Sequence, residues 1–113
     1  MNIFLKRNYL CGNLMGSWMA IVSFLHQKLL SMWLSDYDEW LPLAYRHEVW
    51  NALFDLDAAS QISDLLDIGA VRSEESELWY VTITVNSVEP CGAVTCYFND
   101  GDCFSLDYRE YNP

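Results

Sequence analysis

The hydrophobic period of this chain changes once, between Ile68 and Trp79, and that change confines it to the α+β class. In the first half, apolar residues recur at 14, 18, 21, 22, 25, 29, 32 and 33, the i, i+3, i+4, i+7 pattern of a helix. The remaining stripe, Gly16, Ala20, Ser23, Gln27 and Ser31, is narrow and mostly small. The pattern predicts one helix over 14–34, buried on most sides, with Trp18, Ile21, Val22 and Leu25 in the core. Ser35 to Asp38 supply cap residues and acids, and Pro42 suits a first turn, so a second helix is predicted to run to about Asp55. Its inner face is read as Leu43, Tyr45, Val49, Leu53 and Leu56, with Trp50 and Phe54 beside it. Asp57 reads as the N-cap of a third helix over 58–68, stopped by Gly69 at C′, with Ile62, Leu65 and Leu66 inward.

After Ser73–Glu77 the period becomes two. Trp79, Val81, Ile83 and Val85 alternate with Tyr80, Thr82 and Thr84, as in a strand with one buried face. Pro90 and Gly92 mark a turn, and strands are predicted over 93–98 and 103–109. Between them stands Asn99-Asp100-Gly101-Asp102, whose central Asp-Gly signals a type I′ hairpin. The architecture expected is therefore α+β: an N-terminal helical half of about three helices packed on a C-terminal three-stranded antiparallel β-meander. At 113 residues, without repeats or a linker, residues 1–113 are read as a single domain.

Charge divides the chain more sharply than its period does. All 16 carboxylates lie at or after Asp36, while Lys6, Arg7 and Lys28 are the ionised side chains before it. The formal charge is about +3 up to Ser35 and about −13 beyond, giving −10 in all. With 52% hydrophobic and 15% aromatic residues the chain is too apolar for a disordered acidic tail, so the acids belong to a folded surface. Such a surface repels nucleic acid and anionic membranes and attracts basic ones.

Residues 14–25 follow two cations in the manner of a signal peptide, but no small-X-small cleavage site follows, and His26, Gln27 and Lys28 interrupt any membrane span. The expectation is a cytoplasmic protein. The four cysteines, Cys11, Cys91, Cys96 and Cys103, accompany no glycosylation acceptor, which favours free thiols in a reducing compartment. If Asp100-Gly101 is a two-residue turn, Cys96 lies opposite Ser105 and Cys103 opposite Phe98. The two thiols are then diagonal neighbours, and a disulfide between them is the minority reading.

Residues for catalysis are wanting. His47-Glu48 begins like a zinc-protease motif, but Asn51 stands where the second histidine belongs, and the cysteine spacing lacks paired Cys-X2-Cys knuckles. There is no glycine-rich phosphate cradle, and Asn99–Asp102 leads straight into a strand without completing a calcium loop. The sequence predicts no catalytic residue, metal or cofactor.

What remains is an acidic surface interleaved with aromatics, the make-up of a protein-binding face. The candidate contact residues are Asp36, Asp38 and Glu39 around Trp40, then Asp64 and Asp67, then Glu74, Glu75 and Glu77. The expected partner is a basic protein, foremost a nuclease-type toxin whose cationic groove an immunity protein would occupy. A phage-type inhibitor of a nucleic-acid-targeting defence system needs the same surface. A membrane-associated protein with an apolar, basic N-terminal anchor is the alternative of another class.

Overall fold

The computed structural model of the chain describes residues 2–4, 20–85 and 89–111. Along the chain run β1 (Ile3–Phe4), β2 (Ser23–Phe24), α1 (Gln27–Ser35), α2 (Leu43–Ala58), α3 (Ile62–Asp67), β3 (Val71–Arg72), β4 (Trp79–Val85), β5 (Glu89–Asn99) and β6 (Asp102–Glu110). The class is α+β. The three predicted strands appear as the meander β4–β5–β6 within a larger mixed sheet of order β1-β2-β6-β5-β4-β3. The pairing of β2 with β6 is parallel and the others are antiparallel.

The first helix is shorter than its apolar period implied. Residues 20–26 are extended and α1 begins only at Gln27, while 14–19, with Trp18, lie outside the described residues. The segment completes the edge of β6. Val22 N–H donates to Cys103 O at 2.8 Å, Cys103 N–H to Ala20 O at 2.7 Å and Leu25 N–H to Leu106 O at 2.7 Å. An open strand edge offers a full row of backbone partners, and β-branched Ile21 and Val22 beside Phe24 suit a pleated surface better than a helix. Ile21, Val22 and Phe24 are buried, but Leu25 turns outward and is 41% exposed. His26 then caps α1: its Nδ1 accepts from Leu29 N–H at 3.1 Å.

The other helices sit near their predicted places with different ends. α2 continues through Asp57, which lies inside that helix and not at the start of α3; its Oδ1 accepts from Ile21 N–H at 3.1 Å, tying the helix to the edge segment. Gln61 is the N-cap of α3, in a capping box with Asp64. Gly69 stops α3 as expected. Its φ of +82° lets Gly69 N–H reach Leu66 O and Ala70 N–H reach Leu65 O, both at 3.0 Å, the two bonds of a Schellman motif.

In the sheet the hairpin residues Asp100 and Gly101 have φ of 51° and 84°, and Asn99 pairs with Asp102, so the type I′ turn is present. Phe98 faces Cys103 as predicted. One step on, a bulge intervenes: Thr95 pairs with Asp107 while Tyr97 pairs with Phe104, and Ser105 takes a φ of 59°. Pro90 and Gly92, read as a turn, are within β5, with Pro90 beside a second register shift near Thr84. At Gly92 a Cβ would come within 2.6 Å of Arg109 O, so the strands approach where only glycine fits.

The core lies between the helices and one sheet face. Phe24, Leu29, Met32, Leu53, Leu56, Leu65, Ile83, Val94 and Leu106 are all fully buried there, each contributing roughly 1.5–3 kcal/mol by removal from water. Leu43, Phe54, Ile62 and Leu66, read as inward or beside the inner face, are exposed. Sheet contact selects one narrow side of each helix, and in α2 that side is Val49, Ala52, Leu53 and Leu56.

Candidate partner-binding surface

The corner between α1 and α2 is built around acids that bond to backbone and indole groups. Asp36 ends α1 in the left-handed region, φ 60° and ψ 21°, its N–H bonded to Met32 O at 2.9 Å. Asp38 Oδ2 accepts the Trp50 indole N–H at 3.0 Å. Trp40 donates to Tyr37 O at 3.1 Å and packs its ring 5.0 Å from His26 and 5.5 Å, edge-on, from Tyr108. Trp40 is half-buried and closes the core edge. Arg46, the cation nearest in sequence, donates to the carbonyls of Leu41 at 3.1 Å and Glu39 at 3.5 Å. It thus braces the loop backbone, while Asp36 and Glu39 stay exposed.

The second predicted cluster divides. Asp64 Oδ2 accepts from Ser60 N–H at 2.8 Å, Ser60 Oγ at 3.0 Å and Gln61 N–H at 3.2 Å. Those bonds, Ser60 first, hold its carboxyl below the usual range. Asp64 is engaged in starting α3. Asp67 is exposed, and with Asp55 and Asp64 it lines an open depression of about 220 Å³ floored by Ala58, Ala59 and Ile68. The third cluster, Glu74, Glu75 and Glu77, edges a separate concavity of about 550 Å³ in the loop between β3 and β4. Glu77 lies 3.8 Å from Arg72 with both side chains exposed, a pair too wet to contribute much.

The predicted residues thus occupy three segments: the α1–α2 loop, α3 and the β3–β4 loop. The sequence reading missed an aromatic cluster formed across two helices. Trp33 of α1 lies 6.5 Å from Trp50 and 5.8 Å from Phe54 of α2, and Trp50 stacks on Phe54 at 5.5 Å and 20°. Its trace in the sequence is the spacing Leu43, Trp50, Phe54, a second apolar line on α2 beside the buried one, interrupted by His47.

The titratable groups nearer the core have structural partners. His26 is half-buried, and burial, reinforced by Lys28 and opposed by Asp107, lowers its pKa below 6.5. Tyr108 OH donates to Glu110 Oε2 at 3.1 Å, and burial followed by that carboxylate pushes the phenol up. Cys96 and Cys103 are buried free thiols; Cys103 Sγ donates to Leu56 O at 3.5 Å, and the neighbouring Cys96 thiol together with burial holds Cys103 far above the usual thiol range. Among the described residues no three His, Cys, Asp or Glu side chains are grouped to hold a metal ion, and no helix is long and apolar enough to cross a membrane. Comparison with the models of known families and with curated proteins gave no match.

Proposed function

We propose that this protein binds a basic partner protein and neutralises it by occupying a cationic groove, acting in the cytoplasm as an immunity protein does against a nuclease-type toxin. The observation carrying this reading is the uncompensated acidity around the α1–α2 corner. Asp36 and Glu39 are exposed, Arg46 is turned onto backbone carbonyls, and α1, whose C-terminus opens the corner, has no basic residue in its last turn. Helix C-termini favour cations, so Asp36 at the end of α1 raises the local negative potential at some expense of stability. A nuclease must present positive charge to grip phosphate, and a compact polyanion competes for that groove with fast, steered association. Blockade needs no chemistry from the inhibitor, in keeping with side chains engaged in caps and packing.

The test is affinity capture from the source cell followed by association kinetics at low and physiological salt. A partner with a cationic active-site groove is expected, with slower association at higher salt and slower still for the double variant Asp36→Lys, Glu39→Lys. Capture of a neutral or acidic partner, or kinetics indifferent to both salt and charge reversal, would overturn the reading.

A further inference from the structure

One flank of α2, between its buried side and the outward line of His47 and Asn51, is apolar where an amphipathic helix should turn polar. Leu43, Trp50 and Phe54 share it, with Leu43 76% and Phe54 57% exposed. On α1, Leu30, Trp33 and Leu34 share the side that Trp33 turns toward this stripe, and Leu34 is 62% exposed. Leu30, Trp33 and Trp50 also pack against the core, and the side chains left open to solvent beside them are Leu34, Leu43 and Phe54, an apolar exposure that marks an interaction surface. Carboxylates bound it at both ends. Asp38 fixes the Trp50 indole at one, and at the other Asp55, next to Phe54, opens onto the depression it shares with Asp64 and Asp67.

We propose that this aromatic face is the docking surface, and that its occupant is an arginine-rich, apolar segment of a basic protein. The proposal rests on the basic-partner reading above and adds which face grips the partner and through which side chains. Charge complementarity selects the occupant. A second copy of the chain would bring together two molecules of net charge −10, and an anionic lipid surface would be repelled in the same way. Arginine fits the chemistry better than lysine: its planar, weakly hydrated guanidinium stacks on indole and phenyl faces while its N–H fork reaches a carboxylate at the margin. Trp33, Trp50 and Phe54 already support one another, so little side-chain freedom is lost on binding. Rigid aromatics of this kind act as hot spots.

The test uses the full chain and three short synthetic peptides alternating leucine with arginine, lysine or glutamate, followed by the backbone amide resonances and the indole N–H resonances of the tryptophans. The Arg–Leu peptide should shift the Trp33 and Trp50 signals and leave that of buried Trp79 in place. The Lys–Leu peptide should bind more weakly and the Glu–Leu peptide not at all. Phe54→Ala should weaken Arg–Leu binding by roughly tenfold or more, as expected for a hot-spot aromatic. Should that variant melt differently from the parent, Leu34→Ala serves in its place with loss in the same direction. If the Arg–Leu peptide instead shifts only Glu74–Glu77 and ignores Phe54→Ala, the docking face is wrong while the basic-partner reading stands. If the Glu–Leu peptide binds the aromatic face equally well, both fall. Binding by none of the peptides, or self-association abolished by Phe54→Ala, overturns the docking proposal.

Discussion

At the scale of single residues, Asp36 departs from two local preferences at once. It holds a left-handed backbone conformation that glycine adopts at lower cost, and it adds negative charge to the negative end of α1. Asp36→Gly should therefore raise stability by about 1 kcal/mol in urea unfolding. Where the α1–α2 corner steers a basic partner, the same variant should associate more slowly; a less stable variant would refute this account of the residue. His26 makes a second prediction. Its Nδ1 must be unprotonated to accept Leu29 N–H, and its folded pKa lies below the unfolded value of 6.5. The unfolded chain then binds the proton more readily, so this contribution is complete above pH 6.5 and lost as pH falls through 6.5 toward the folded value. Melting temperature should drop across that window. His26→Asn keeps a capping acceptor without a titration, and should flatten the drop.

Among the elements, the segment before α1 separates helix from strand most sharply. On a helix Phe24 and Leu25 would lie 100° apart on neighbouring faces, whereas on an extended edge they point to opposite sides. Phe24 is completely buried and Leu25 is 41% exposed. Phe24→Ala should cost about 3–5 kcal/mol and Leu25→Ala less than about 1 kcal/mol in chemical denaturation. Equal costs would restore the long helix. The helical period over 14–34 holds for Leu29 and Met32, which α1 buries, but not for Phe24, which stands off the apolar stripe and is buried by the strand instead. The stop at Gly69 and the hairpin at Asp100-Gly101 were legible because both depend on positive φ within a few residues. Asp57 was misread for the opposite reason: its partner, Ile21 N–H, is 36 positions away.

For the whole molecule, the proposed association should weaken as salt rises, because at physiological ionic strength the screening length is about 8 Å and the long-range attraction of a −10 body is cut back. Contacts on the aromatic face are desolvated and short-ranged, so loss of Phe54 should act on dissociation and leave the salt dependence of association in place. Composition and order along the chain carried the electrostatic polarity, since charge depends on residue type alone. The same holds for the α+β class and the central meander, which follow from periodicities of 3.6 and 2 and from turn residues acting over a few positions. Tertiary structure alone decided that residues 20–26 would join β6, with Ser23 Oγ accepting from Ser105 N–H across 82 positions. It also decided which apolar side of α2 met the sheet, and so left Phe54 facing out and Trp50 half-buried beside Trp33. An amphipathic pattern shows that a helix has an apolar side, but where two such sides exist, the choice between them belongs to the surface that packs against one.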